Sequence, residues 1–354
     1  MLYHLALYLQ SLYSPLNVIH YVSVRSMLAL LTSLILCILF GQSYINWARR
    51  VCRSKAREHT PDNHRAKDDT PTMGGLMILG VSILSAILWC NLTICSVIVL
   101  LLTLLLFGII GFWDDWSKIA YKKGISERSK LYGQLLSGFI IATLWYFFCN
   151  PTHEFCIPFF KNLTIDLGIV LIPWVIFILV GSSNAVNLTD GLDGLAAGAL
   201  LLNIATFGGL AYAAGHFEIA HYLNIPFAGT SEIVIVATSL IGALLGFLWY
   251  NAYPAELFMG DVGSLALGAG LAMLAIMARQ ELLLPVAGGL FVAETISVML
   301  QVWYYRRYKK RLFRMAPLHH HFELIGWHEA KITTRCMIIT LMLCLFSVMT
   351  LKLR

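Results

Sequence analysis

Five aspartates fall in short polar motifs set between long apolar stretches. Asp114 and Asp115 lie in Phe112-Trp113-Asp114-Asp115-Trp116-Ser117-Lys118, Asp190 and Asp193 in Asn187-Leu188-Thr189-Asp190-Gly191-Leu192-Asp193-Gly194, and Asp261 in Met259-Gly260-Asp261-Val262-Gly263-Ser264. Any one of them alone is most simply a helix cap or a solvated head-group residue, and Asp190, Asp193 and Asp261 each precede an apolar run where an N-cap is natural. Five together are harder to account for, because clustered anions repel one another unless a cation joins them. Oxygen ligands, Gly-flanked loops and the lack of a soft ligand point to Mg²⁺ or Mn²⁺, with substrate phosphates completing the shell.

Basic groups recur in the same kind of loop. Lys67 precedes Thr70-Pro71-Thr72-Met73-Gly74-Gly75, Lys118 and Lys130 follow the Asp114-Asp115 pair, and His319-His320-His321 follows Pro317. Three consecutive His cannot all point inward, so one or two of them reaching a diphosphate, as donors when protonated, is the better reading than a transition-metal site. Carboxylates holding a divalent ion beside Lys and His supply what phosphoryl transfer needs, namely charge neutralisation and positioning rather than covalent chemistry.

The elements that must position these groups are membrane helices. Of 354 residues, 58% are apolar and 12% charged, against roughly 25% charged in an ordinary soluble domain. With a mean hydropathy of +0.75, lipid must cover most of the surface. Runs long enough to cross a bilayer occur at about 25–45, 73–91, 93–113, 132–149, 167–184, 195–214, 232–250, 263–278, 285–304 and 335–352, which predicts an all-α integral membrane protein of about ten transmembrane helices. Residues 1–354 form a single polytopic domain, with 1–20 a short external or interfacial arm. No repeat or long soluble connection occurs, so the chemistry has to be built from loops and helix ends.

The Lys and Arg residues set the orientation. Twenty of the 25 lie in the loops after spans 1, 3 and 9, so those loops are cytoplasmic and both termini external. All five aspartates then share the cytoplasmic face. The net charge of +6 is a topology signal and argues against nucleic-acid binding. The eight cysteines show no CxxC pair and mostly sit in or beside apolar runs, where Cys behaves as a small hydrophobe. A transporter is the rival from another class, on the strength of Glu294 inside span 9, but a transporter concentrates its polar residues at the midplane. A lipid-binding scaffold would not need clustered carboxylates.

From about Lys67 to Trp327 the chain resembles the phospho-N-acetylmuramoyl-pentapeptide transferase family, a branch of the polyprenyl-phosphate N-acetylhexosamine-1-phosphate transferase superfamily. The Asp-Asp and Asn-x-x-Asp-Gly blocks are similar to the whole superfamily, and Met315-Ala316-Pro317-Leu318-His319-His320-His321-Phe322-Glu323 to the muramoyl branch. One departure is Asp68-Asp69, where the pattern would place a Gly next to Thr70. The resemblance implies a ten-helix fold with a cytoplasmic cleft in a bacterial inner membrane, UDP-N-acetylmuramoyl-pentapeptide as donor, undecaprenyl phosphate as acceptor, UMP as product and Mg²⁺ as cofactor, and it leaves room for a homodimer. By matching motif positions, Asp261 would be the principal metal ligand, and Asp114 and Asp115 would act at the acceptor phosphate or the metal, with Lys118 beside them. Lys67, Asp193, Asn251 and Phe258 would hold the uridine part, Phe258 by stacking. Lys118, Lys130 and the His triplet would lie along the diphosphate and sugar, and Asn187 and Asp190 belong with the substrate-binding residues.

Overall fold

The computed structural model describes residues 1–10, 13–52, 70–149, 151, 154–156 and 164–352. Over these residues the chain is an all-α integral membrane protein. A short α1 (Leu2–Leu9) is followed by α2 (Val22–Val51), α3 (Gly74–Trp89), α4 (Cys95–Tyr121) and α5 (Glu127–Phe148). A two-stranded antiparallel hairpin, β1 (Glu154–Cys156) with β2 (Thr164–Asp166), leads to α6 (Leu171–Thr189) and α7 (Leu195–Gly215). The rest is α8 (Phe217–Leu223), α9 (Ile233–Asn251), α10 (Gly260–Met277), α11 (Leu284–Ala287), α12 (Gly289–Tyr308), α13 (Leu318–Ile325) and α14 (Glu329–Met349).

Among the described residues, eight helices are long and apolar enough to cross a membrane. Two of the ten expected runs look different. α3 has only 16 residues, about 24 Å at 1.5 Å per residue, short of the roughly 30 Å hydrocarbon core. The run expected at 285–304 is the pair α11 and α12, bent by 75°. Pro285 has no N–H to give to the preceding turn, and Gly288-Gly289 at the break gives the backbone the latitude to turn.

The helices also outrun the apolar pattern at one end. The runs expected to end at 45 and 113 continue as helix to Val51 and Tyr121, and those expected to begin at 132 and 335 begin at Glu127 and Glu329. Leaving hydrocarbon does not end a helix whose backbone bonds are internal and whose next residues are good helix formers. Ser126 caps α5 by accepting from the Ser129 N–H. All four extensions occur at the end of the bundle that carries the basic loops.

α10 is the central column: every residue from Val262 to Met277 is buried, and α3, α4, α6 and α7 pack around it. α2 lies along α9 on one flank, and α5 against α4 and α6 on the other. Contacts fix which helix ends share a face. At one end, Arg25 at the start of α2 pairs with Glu232 before α9, both buried, and the Arg25 guanidinium also donates to the Trp89 carbonyl at the end of α3. The N-terminal amine of the arm donates to the Ile87 carbonyl at the same end. A disulfide there joins Cys95 at the start of α4 to Cys149 after α5. These two cysteines are therefore a covalent tie between helices and not the small hydrophobes the sequence suggested. The aspartates gather at the opposite end.

Candidate active site

α4 carries Asp114, Asp115 and Lys118 on consecutive turns, so the two carboxylates and the ammonium at i+4 and i+3 converge on one helix face. Lys118 Nζ lies 2.7 Å from Asp114 Oδ2 and 3.3 Å from Asp115 Oδ1. It also reaches Asp261 Oδ1 at 3.2 Å, on the first turn of α10. Lys130, in the first turn of α5, pairs with Asp261 Oδ2 and stands 3.8 Å from Asp114 Oδ2. Asp114 and Asp115 follow the apolar run expected to end at 113, and both lie inside the continuing helix, only 4% and 3% exposed.

Backbone donors fix the remaining oxygens. Asp114 Oδ1 accepts from the Ile125 N–H at 2.9 Å, which folds the α4–α5 connection back over the site. Asp115 Oδ2 accepts from the Val262 N–H at 3.1 Å and so links α4 to the start of α10. α3 is stitched to the same place: the Gly74 and Gly75 N–H groups donate to the Phe258 and Met259 carbonyls, and the Phe258 N–H to the Pro71 carbonyl, each within 2.8 to 2.9 Å. Gly111, one turn before Asp115, is required by proximity, since a Cβ there would lie 2.2 Å from the Asp261 carbonyl oxygen.

Carboxylate oxygens of Asp114, Asp115 and Asp261 all lie within 4.8 Å of one another, the one such group of potential metal ligands among the described residues. All three donors are oxygens, hard ligands of the kind Mg²⁺ takes, and they already converge on a cation, the Lys118 ammonium. The residues present fit a small divalent ion.

The loop between α6 and α7 borders this cluster electrostatically. Burial, together with the nearby charges of Asp261 and Asp115, pushes the Asp190 carboxyl up to about 8. Asp193 is turned into the fold: its Oδ2 accepts from the Ala255 N–H at 3.0 Å, and its own N–H donates to Glu329 Oε1 at 2.7 Å. Asn251 bridges the Gly194 N–H and the Leu257 carbonyl. Thus Asp193 and Asn251 hold the α6–α7 loop to the α9–α10 connection. Asn187 and Phe258 are half-buried, and Asn187 Nδ2 has no hydrogen-bond partner in the protein. Lys67 and the Asp68-Asp69 departure lie outside the described residues.

The three His side chains face three different partners. His319 is 1% exposed and faces Glu294, with Nδ1 at 3.4 Å from Oε1. His320 Nδ1 pairs with Glu323 Oε2 at 2.6 Å, one turn on in α13. His321 Nδ1 accepts from the Arg314 N–H at 3.1 Å. The sequence reading passed over Gln301 and Glu329. Gln301 Oε1 accepts from the Leu312 and Phe313 N–H groups and shapes the loop that delivers the triplet. Each is a lone polar residue among ordinary helix residues, and no local pattern separates either from a polar side chain that merely faces water.

Along the bundle, α6, α10, α11 and α12 enclose an apolar groove of about 260 Å³, lined by Trp174, Phe177, Leu271, Phe291 and Ile296 among others.

Comparison with known proteins shows what the chain is similar to. Residues 97–279, which hold the carboxylate cluster and both aspartate loops, match glycosyl transferase family 4. Residues 67–79 match phospho-N-acetylmuramoyl-pentapeptide-transferase signature 1. The proteins of that name from Solidesulfovibrio magneticus and Aquifex aeolicus are 47% and 46% identical, each alignment covering the whole of both chains.

Proposed function

This chain belongs to the phospho-N-acetylmuramoyl-pentapeptide transferase family, and on that footing we propose that it moves phospho-N-acetylmuramoyl-pentapeptide from UDP-N-acetylmuramoyl-pentapeptide to undecaprenyl phosphate. The products are UMP and the first lipid-linked peptidoglycan precursor. The observation that carries the reading is the cluster of three carboxylates and two lysines assembled from α4, α5 and α10 at one end of a membrane bundle. A soluble anionic donor and a lipid-borne anionic acceptor meet most readily at such a place.

In the proposed step an oxygen of the prenyl phosphate attacks the sugar-linked phosphorus of the donor. The bond from that phosphorus to the bridging oxygen breaks, and UMP leaves with the electron pair. The acceptor's second pKa is near 6, so at pH 7 its attacking oxygen is already mostly unprotonated and a base gains little. Asp114, tied to the Ile125 N–H and to Lys118, then serves mainly to position. Lys118 and Lys130 offset the charge of two phosphates brought together. Asp261, with Asp114 and Asp115, would hold Mg²⁺. When bound, the ion supplies further neutralisation of the transferring phosphate. The groove along α6 and α12 suits a prenyl chain because its lining is almost wholly apolar.

The positive-inside argument puts the cluster on the cytoplasmic face, where UDP-linked donors are made. The Cys95–Cys149 bond at the opposite end supports this orientation, since disulfides persist in oxidising compartments. The test is UMP release by purified protein given polyprenyl phosphate, Mg²⁺ and either UDP-N-acetylmuramoyl-pentapeptide or UDP-N-acetylglucosamine. Turnover with the muramoyl donor alone is expected. Equal use of both donors, or of neither, overturns the proposal.

A further inference from the structure

Glu294 has no part in the step just described, yet it is one of the most deeply buried acids in the chain. It sits in α12, 2% exposed, within the membrane-spanning bundle. Its Oε1 lies 3.4 Å from Nδ1 of His319, which is 1% exposed at the start of α13. Glu294 Oε2 and both ring nitrogens of His319 make no hydrogen bond within the protein. A buried carboxylate and a buried imidazole cost free energy unless something uses them.

The far side of the ring shows what that use would be. A Cβ on Gly191 would come within 2.2 Å of His319 Nε2 and 3.0 Å of Cε1. The imidazole is therefore seated edge-on against the backbone between Asp190 and Asp193, and a glycine is needed there to admit it. Asn187 Nδ2, in the last turn of α6, is a second buried polar atom with no protein partner. One unpartnered group thus lies at the end of α6 and the other against the loop that follows it.

We propose that Glu294 is a positioning residue for His319. Its carboxylate, 3.4 Å from Nδ1, sets the ring's orientation and keeps the Nε2 edge at Gly191 of the α6–α7 loop, beside the place where the sugar diphosphate donor would bind. This rests on the donor reading above. The principle is general: the group facing one ring nitrogen of a histidine constrains what the other can do. It also gives the intramembrane acid a use at one end of the bundle and removes the observation that favoured a transporter.

Three variants test it, read by kcat and KM for the muramoyl donor together with the thermal midpoint. Glu294→Leu keeps the volume and removes the acceptor; kcat should fall 10- to 100-fold with the midpoint unchanged or raised, since an apolar replacement of a buried ionic group is often neutral or stabilising. Glu294→Gln retains a polar side chain of the same length facing Nδ1 and should recover to within about threefold of the parent. Combining Glu294→Leu with His319→Phe should cost no more than His319→Phe alone, the signature of two residues acting as one unit. Parent-level kcat in Glu294→Leu, a midpoint that falls in step with activity, or losses that multiply in the double variant would each overturn the assignment. A parent protein that releases no UMP with this donor would instead refute the donor reading itself.

Discussion

Asp261→Asn keeps the shape of the side chain and removes one negative charge from the point where two ammonium groups meet it. Lys118 Nζ is 3.2 Å from Oδ1, and Lys130 Nζ is on Oδ2. At the 3.2 Å separation of the first pair and an effective dielectric of about 20, one such pair of charges is worth roughly 5 kcal/mol. The amide keeps a carbonyl dipole, and losing the carboxylate also removes its desolvation cost. The expected loss is therefore about 3 kcal/mol of transition-state stabilisation, roughly 150-fold in turnover.

The fold should survive this change. The start of α10 is held by the Gly74, Gly75 and Val262 N–H groups, whose acceptors are Phe258, Met259 and Asp115, and none of these bonds uses the Asp261 carboxylate. UMP release measured across a Mg²⁺ titration, with the thermal midpoint recorded alongside, separates loss of chemistry from loss of structure. Turnover within threefold of the parent at saturating Mg²⁺, or parent activity that persists after dialysis against EDTA, refutes the reasoning.

The carboxyl of Asp190 is held up to about 8, above its unfolded value of roughly 4, so the stability it contributes is fully present below the unfolded value and is lost as pH rises from there to 8; in Mg²⁺-free detergent the midpoint should fall between about pH 5 and 8 and level off above, and less so in Asp190→Asn. His320→Ala, which vacates the contact with Glu323, should cost about 1.5 to 3 kcal/mol, or roughly 10- to 150-fold in muramoyl transfer, while an unchanged rate would take His320 out of the site. Cys95→Ser opens a link between residues 54 apart and should lower stability by about 2–4 kcal/mol by denaturant unfolding, with little change in KM. In a Cys-free background, single cysteines at Ser126 or Ile325 should resist a membrane-impermeant reagent applied outside intact cells, and labelling there would invert the orientation.

The membrane helices were legible in the sequence because the bilayer imposes a length and an apolarity on each span that a local window can detect. The gathering of the aspartates was legible too, since alternate crossings send Asp114, Asp190 and Asp261 to one face. What the window could not detect were pairings between distant residues. Cys95 meets Cys149, Arg25 meets Glu232, and Glu294 meets His319 only through packing, and each partner alone is an ordinary residue for its neighbourhood. The extension of α4 to Tyr121 was hidden for a different reason, because the apolar pattern reports where hydrocarbon ends and not where the backbone bonds end.

The glycines show most directly how sequence and site are related here. Two of them bring backbone to backbone. A Cβ on Gly75 would meet the Gly263 nitrogen at 2.1 Å, and one on Gly111 the Asp261 carbonyl at 2.2 Å. α3 and α4 can therefore close on the first turn of α10 only where side chains are missing. That closure brings Lys118 to Asp261 across two helices and puts the Asp115 carboxylate on the Val262 N–H. The charges in the motifs supply the chemistry, and the glycines between them set the distances at which those charges act. Gly111→Ala should then cost activity nearly as much as losing a carboxylate, although it removes no charge, because the clash is with backbone that cannot rotate away.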